Sequence, residues 1–552
     1  MTQYLISDTT LTNIANAIRT KKGTSALIDP ADMATEIASI SGGGGTINNL
    51  NVTSNGTYTA SGGVDGYSPV VVNVPDKEVK DVNLYDYDGK ILYSYTKTEF
   101  LNLLLMPTNP QAYSSLTNSG WNWSLSDAKT YVNKYGKLNI GAEYDYTGDT
   151  EIDITLTDGR LSPYLSIAVN GTATVDWGDG NTEAITGSNL TTYIRTLHEY
   201  AQAGDYTITI TGDGIGIGTS REHILMGKSS GDYSENSVDA PYLNAVKAIR
   251  IGDNVTTIND SAFYFLRNLE EVLMSSYVTS IGNNAFRNCD SLKTVVLSSN
   301  TSIGSYAFFE CMSLGYITIP NGITSIGDSS INGCRSMKTL SIPDSVTTIG
   351  NACFRGDYSL EYIQFPEGVT TINQYMFRDD YALKEFVICD TVTSLKHDIF
   401  EGCRSLKEMI IPSSVTEMIS DTFYEDYALE KVTIAGTPSI GSNIFYGCTV
   451  LRDVSIPDGT TSIGSSCFRG CRSLSSITIP DTVATINNEV FRDCTGLGAI
   501  YFEGTTPPTV TNSNAFSSLT TDCIIYVPTG TLADYTSATN YPSSSTYTYQ
   551  EY

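Results

Sequence analysis

The stretch Phe468-Arg-Gly-Cys471-Arg-Ser-Leu474-Ser-Ser-Ile477-Thr-Ile479-Pro480-Asp-Thr-Val483-Ala-Thr-Ile486 decides the fold. Phe468, Cys471, Leu474, Ile477, Ile479, Val483 and Ile486 are apolar, with Arg469, Arg472, Ser475, Ser476 and Thr478 interleaved. Ser476 to Ile479 alternates with the period of a strand that buries one face, and Pro480 removes a backbone donor and ends the ladder. A unit this short cannot bury its apolar face alone, so it must stack on copies of itself.

The copies are present. Aromatic or aliphatic anchors recur at Phe263, Phe286, Phe308, Ile331, Phe354, Phe377, Phe400, Phe423, Phe445, Phe468 and Phe491, at intervals of 22 or 23 residues. The strand-proline sequence recurs at Ile317 to Pro320, Leu340 to Pro343, Ile363 to Pro366, Met409 to Pro412 and Val454 to Pro457. Each coil is read as one rung of a parallel sheet.

The pattern Leu-x-x-Ile-x-Ile-Pro-x-x-Val-x-x-Ile-Gly-x-x-x-Phe-x-x-Cys resembles the BspA-type leucine-rich repeats of bacterial surface and prophage proteins. The resemblance covers residues 241–540, and Cys523 to Tyr535 looks like that family's closing unit, which an open solenoid end requires. The fold class expected is therefore mainly β and multidomain: a small N-terminal helical segment, a small α+β module, an immunoglobulin-like β-sandwich, and a C-terminal leucine-rich-repeat solenoid with a parallel sheet.

Composition narrows the function. At 552 residues the chain is too long for one ordinary core. Lys plus Arg is 32 against 60 Asp plus Glu, a net charge of -28, which repels phosphate backbones and argues against a nucleic-acid partner. We read no apolar run of membrane-spanning length, no secretory leader at Met1 and no anchor after Tyr535, so neither membrane insertion nor signal-peptide export is expected. Seven of the 11 cysteines (Cys289, Cys311, Cys334, Cys403, Cys448, Cys471 and Cys494) stand three residues after an anchor. They read as a column of buried thiols, with disulfides or metal as the other readings.

Ahead of the repeats, 1–41 reads as two short helices, with Leu11, Ile14 and Ile18 on one apolar stripe and Met33 and Ile37 on the other, behind Asp29 as N-cap and Pro30 at the first helical position. Such short helices need a docking partner. Residues 46–76 read as a hairpin module. Leu11 to Arg19, and the pair Asn55-Gly56-Thr57-Tyr58 with Val64-Asp65-Gly66-Tyr67, look like N-terminal segments of tail proteins from phages and prophages of Gram-positive bacteria.

Residues 79–148 read as an α+β module, with a strand at Ile91 to Tyr95 and helices at Thr98 to Met106 and Leu125 to Tyr135; Trp121 and Trp123 are either core or a sugar-stacking pair. In 150–212, Val175-Asp-Trp-Gly-Asp-Gly180, His198-Glu-Tyr200 and Gly204 to Ile208 resemble a PKD-type immunoglobulin-like domain. Asp176 and Asp179 there read as turn chemistry or as calcium ligands. Residues 213–240 read as a Gly- and Ser-rich linker.

No Gly-x-Ser-x-Gly elbow or His-Glu-x-x-His motif occurs, and proximity of carboxylates means little among 60, so no enzyme, cofactor or metal is expected. The informative variation lies at outward coil positions, where Arg and Tyr, residues that binding surfaces enrich, recur. Arg355, Arg378 and Arg469 follow their anchors by one residue; Tyr358, Tyr381, Arg404, Tyr427 and Arg472 follow by four. These eight are the candidate receptor-binding residues. Arg355 and Arg378 could pair with Asp357 and Asp380, which otherwise bond loop amides.

The outward strand face, including Tyr316, Thr318, Tyr362, Gln364, Glu385, Glu408, Lys431, Thr433, Thr478 and Tyr501, is a second candidate surface. The resemblances imply a virion tail-associated adhesin, made in the host cytoplasm. Leu11, Ile14, Ile18, Met33 and Ile37 would join it to other tail or baseplate proteins, and the solenoid would bind a bacterial cell-surface glycan or protein, as a homo-oligomer with a trimer favoured. The alternatives are a non-catalytic capsid or tail decoration protein and a bacterial BspA-like surface adhesin.

Overall fold

The computed structural model describes residues 56–58, 70–72, 80–108, 115–212, 214–217, 225–226, 240–297 and 302–552. The two expected N-terminal helices, with Leu11, Ile14, Ile18, Met33 and Ile37, lie outside the described residues. Met1–Lys80 and Asp81–Tyr552 are separate units. In the first, β1 (Gly56–Tyr58) pairs antiparallel with β2 (Val70–Val72).

The second unit opens with a four-stranded sheet of β3 (Val82–Tyr85), β4 (Ile91–Tyr95), β5 (Leu116–Trp121) and β6 (Leu138–Tyr146), ordered β4-β3-β6-β5. It carries helices α1 (Lys97–Leu101) and α2 (Leu125–Tyr135). A capping box between Thr96 and Glu99 starts α1. The helix expected to run to Met106 stops at Asn102, and Leu104 and Leu105 beyond it are 91% and 80% exposed. Trp123 is buried edge-on against Tyr131, whereas Trp121 is half-buried and donates Nε1–H to the Pro107 carbonyl at 3.1 Å.

The segment read as a sandwich is built as a single sheet. Long β8 (Tyr164–Asp176) pairs along its length with β9 (Thr182–Leu197); its other edge takes β10 (Gly204–Gly212), β11 (Ile215–Ile217) and β12 (Leu225–Met226). β7 (Thr150–Leu156) lies on the far edge of β10. Two contacts join this sheet to the solenoid: β7 pairs antiparallel with β13 (Val246–Ile251), and β11 pairs parallel with β14 (Val255–Ile258). The segment therefore caps the first coil rather than standing apart as a spacer, because an open solenoid end exposes unpaired edges that need covering. Part of the expected linker is accordingly strand. Its glycine content signals a loop, but Ile215 and Ile217 are fully buried in a strand that pairs with both β8 and β14.

From β13 onward the coils stack in parallel register. Each contributes two short strands instead of the single rung expected. One ladder holds 271–274, 294–296, 362–364, 408–411 and 476–479 among others; the second, five residues past the proline or its equivalent, holds pairs such as Thr371–Ile372 and Thr485–Ile486. The second ladder is legible only afterwards, in the recurring Ile-Gly pair.

A third line of hydrogen bonds runs through the anchor turns, where Phe286 N–H donates to the Ala307 carbonyl of the next coil at 2.8 Å, and Phe377 N–H to that of Ile399 at 2.9 Å. The anchor is flanked two residues before and after by left-handed backbone, as at Asp421 (φ 56°) and Glu425 (φ 54°) around Phe423. Such a conformation costs an L-residue about 1–2 kcal/mol. Stacking offsets it: the anchor rings form a spine with centroid spacings of 5.3 Å for Phe400–Phe423 and 5.7 Å for Phe468–Phe491. The spine continues to Phe516, and the C-terminal cap seals it with buried Tyr535, whose hydroxyl donates to the Gly504 carbonyl at 2.7 Å.

Candidate binding surface

Three lines of outward residues run along the solenoid edge, because equivalent positions in successive coils repeat about every 4.8 Å. The line one residue after the anchors is largely neutralised within itself. Arg378 lies 3.0 Å from Glu401 and 3.8 Å from Asp379, and Arg355 lies 3.7 Å from Asp379. Arg469 pairs with Glu489 and Asp493, and Arg492 with the same two carboxylates. Burial first, then neighbouring Asp398, pushes Glu401 up to about 7 despite Arg378.

Arg355 and Arg378 do not pair with Asp357 and Asp380. Those carboxyls are fully buried: Asp357 Oδ1 accepts from Cys334 N–H at 2.7 Å, and Asp380 Oδ1 accepts from Asp357 N–H at 2.8 Å. They occupy the column in which Cys403 and Cys471 donate their thiols to the anchor carbonyls of the preceding coil. Desolvation pushes both carboxyls far above the usual carboxylate range. All eleven cysteines are free and buried.

The line four residues after the anchors is built differently. Tyr358 and Tyr381 stack with centroids 4.9 Å apart and planes 3° apart; the Arg335 guanidinium lies 5.3 Å from the Tyr358 ring and that of Arg404 4.4 Å from the Tyr381 ring. This is a continuous Arg-Tyr-Tyr-Arg ladder, held by stacking and cation–π attraction, and Tyr427 follows it in the next coil. Tyr358 is 39% and Tyr427 44% exposed. Arg472 stands two coils beyond Tyr427 on the same line.

The third line, just before the first strand of each coil, was not singled out from the sequence. It brings opposite charges together on several neighbouring coils: Glu270 with Lys293 at 2.7 Å, Glu361 with Lys384 at 2.6 Å, and Glu430 between Lys407 and Arg452. The same 22- or 23-residue period could have found it.

The strand face is not one surface. Its first half carries the α+β module. Asn122 Nδ2 donates to the Ile319 carbonyl at 3.0 Å and to Ser341 Oγ at 2.8 Å, while its Oδ1 accepts from Gly141 N–H. Tyr131 donates its hydroxyl to the Phe365 carbonyl, and Gln364 its amide to the Asn139 carbonyl. Tyr85 stacks on Tyr316 at 5.1 Å, and Lys134 and Lys137 pair with Glu367 and Glu385. A Cβ on Gly141 would meet Thr318 Oγ1 at 2.4 Å, so the approach requires glycine there.

Tyr316, Thr318 and Gln364, expected on a solvent face, are thus buried, with Tyr362 and Glu385 engaged by the module as well. Glu408, Lys431, Thr433 and Thr478 remain exposed, Tyr501 is half-buried and Ile410 is 67% exposed.

At the cap, Asp176 and Asp179 accept from the amides of Gly178 and Asn181, and Asp179 also bonds His198 Nε2 at 2.8 Å; the His198 ring stacks on buried Trp177. Among the described residues no group of three or more His, Cys, Asp or Glu is placed to hold a metal ion, and no helix is long and apolar enough to cross a membrane.

The profile of the BspA type leucine rich repeat region matches in six copies, over residues 242–355, 301–430 and 416–531. No curated protein matches the chain. Among solved structures, the chain is similar to a leucine-rich repeat protein from Bacteroides ovatus, with 28% identity over 56% of this chain and 84% of that one, at a TM-score of 0.46. It is similar also to a leucine rich cell surface protein from Faecalibacterium prausnitzii (27%, 50% and 82%, 0.33) and to a leucine-rich repeat protein from Eubacterium ventriosum (23%, 56% and 90%, 0.39). With the profile spanning more than half of its length, the chain belongs to the BspA type leucine rich repeat family.

Proposed function

We propose that this chain is a non-catalytic attachment protein of the BspA-like surface kind, whose solenoid binds a glycan or protein on a bacterial cell surface. The observation that carries this reading is the stacked ladder of exposed Arg335, Tyr358 and Arg404 with half-buried Tyr381, rigid groups that lose little freedom on binding. Family membership supports it, since these repeats occur in bacterial surface proteins.

The test is adhesion of the full chain to a panel of bacterial strains, beside a variant with all four ladder residues changed to Ala. We expect strain-selective adhesion, weakened about tenfold or more in the variant. Selective adhesion that the variant keeps would move the site to the open strand face, and a wild-type chain adhering to no strain would end the reading.

A second reading mounts the same attachment function on a phage or prophage tail, in several copies that add avidity. Leu11 to Arg19 and the Asn55 to Tyr67 motifs favour it. Antibody detection of the chain on purified particles supports this arrangement; detection on the cell envelope alone rejects it.

A further inference from the structure

The ladder four residues after the anchors breaks at one coil. After Arg335, Tyr358, Tyr381, Arg404 and Tyr427, the next position holds Thr449, and the large side chains resume with Arg472. Tyr358 and Tyr381 show that neighbouring rungs bring rings into contact at 4.9 Å. One small residue between Tyr427 and Arg472 therefore leaves a gap of two rungs, about 9.6 Å, which is the room a flat ring needs between two stacking partners. Among the described residues no aromatic ring or guanidinium stacks on Tyr427, and it is 44% exposed.

An open depression of about 600 Å³ lies beside this gap, lined by Tyr427, Ala428, Val450 and Ser473 together with Lys407, Glu430 and Arg452. Arg404 and Arg472 stand on the same ladder line outside the lining, and Glu425 lies by the Tyr427 hydroxyl. The lining itself carries two cations, Lys407 and Arg452, against one carboxylate, Glu430, in a chain of net charge -28. Glu430 bridges Lys407 and Arg452, so their donors are held in place before any ligand arrives.

We propose that this slot binds one pyranose unit of an anionic polysaccharide, the apolar face of the sugar ring on Tyr427 and its acidic group toward Lys407 and Arg452. The site deepens the attachment reading and rests on it. An aromatic face suits the C–H side of a sugar ring, and fixed guanidinium donors suit a carboxylate or phosphate in bidentate geometry.

The test is calorimetric titration of the full chain with the trimer of galacturonic acid and with the neutral trimer of galactose. Thr449→Arg is the decisive variant, because it completes the ladder with a residue the same line carries at Arg335 and Arg404, and so closes the slot without disturbing a coil. We expect the acidic trimer to bind at least about tenfold more tightly than the neutral one, and Thr449→Arg and Tyr427→Ala each to weaken it by about tenfold at unchanged melting temperature. Binding of the acidic trimer should fall as salt rises from about 0.05 to about 0.5 M.

Binding that survives Thr449→Arg, equal binding of both trimers, or binding of neither overturns the proposal. Strain adhesion measured on the same proteins separates the two levels: adhesion unchanged by Thr449→Arg removes this slot and leaves the attachment function standing, whereas a wild-type chain that adheres nowhere removes the attachment function itself.

Discussion

The strand faces of coils 316–387 and 408–502 come from the same repeat, yet they end in opposite environments. In the first, Tyr316, Thr318, Ser341 and Gln364 are buried under the α+β module; in the second, the equivalent positions of Ile410, Thr433 and Thr478 face water. Polarity does not distinguish them. The buried set is as polar as the exposed one, and Ile410, the most apolar of these residues, is on the open side. What separates the halves is whether a partner supplies matching donors and acceptors, as Asn122 and Asn139 do for Ser341 and Gln364.

The spine beneath should be indifferent to that difference. Phe377 lies below the module's footprint and Phe468 outside it, and both are fully buried between stacked rings. Truncation to Ala should cost each about 4 kcal/mol in denaturant unfolding. A cost that differs between them by more than about 1.5 kcal/mol would mean that the module carries part of the core's stability.

The interface should show the asymmetry that the spine does not. Asn122→Ala strands the Gly141 amide and the Ile319 carbonyl in a dry contact, and should lower stability by about 3 kcal/mol. Ile410→Ala, on the open face, should change it by less than about 0.5 kcal/mol. Equal small effects would mean that the module sits loosely on the coils.

A pH-dependent effect concerns the buried carboxyls, two of which, Asp357 and Asp380, lie in adjacent coils under the covered half. Their folded-state pKa is raised above the unfolded value, so the stability they permit is fully present below pH of about 3.9 and is lost as pH rises toward the folded pKa. The loss is at most about 1.4 kcal/mol per pH unit for each group. Asp357→Cys restores the residue most coils carry there and should flatten this decline between pH 5 and 8; an unchanged slope would place the titration elsewhere.

Much of the fold was legible because a repeat states each rule many times. The Phe spine, the parallel stacking, the Cys column and the Arg and Tyr lines all follow from one period. The charged line of Glu270, Lys293, Glu361, Lys384, Glu430 and Arg452 obeys the same period and was available to the same reading, whereas the second strand ladder, which shares the period, is recognised in the Ile-Gly pairs only once the coils are stacked. The single-sheet cap was not, because Ile215 and Ile217 sit among glycines that outvote them in any local reading.

The candidate residues divide along the same principle. Their spacing determined that Tyr358, Tyr381 and Arg404 would stand one rung apart on one line, since neighbours in a ladder are fixed by the repeat alone. Pairing of Arg355 and Arg378 with Asp379, rather than with Asp357 and Asp380, was decided by which carboxyl the coil turns outward. The covering of the strand face was decided entirely by tertiary structure. Asn122 meets Ser341 and Tyr131 meets Phe365 across more than two hundred residues of chain, and no period connects them. A repeat can specify contacts with its own neighbours because they share one offset; a contact between a repeat and a module outside it has no offset to read and is fixed only by the shapes and hydrogen-bonding groups that meet.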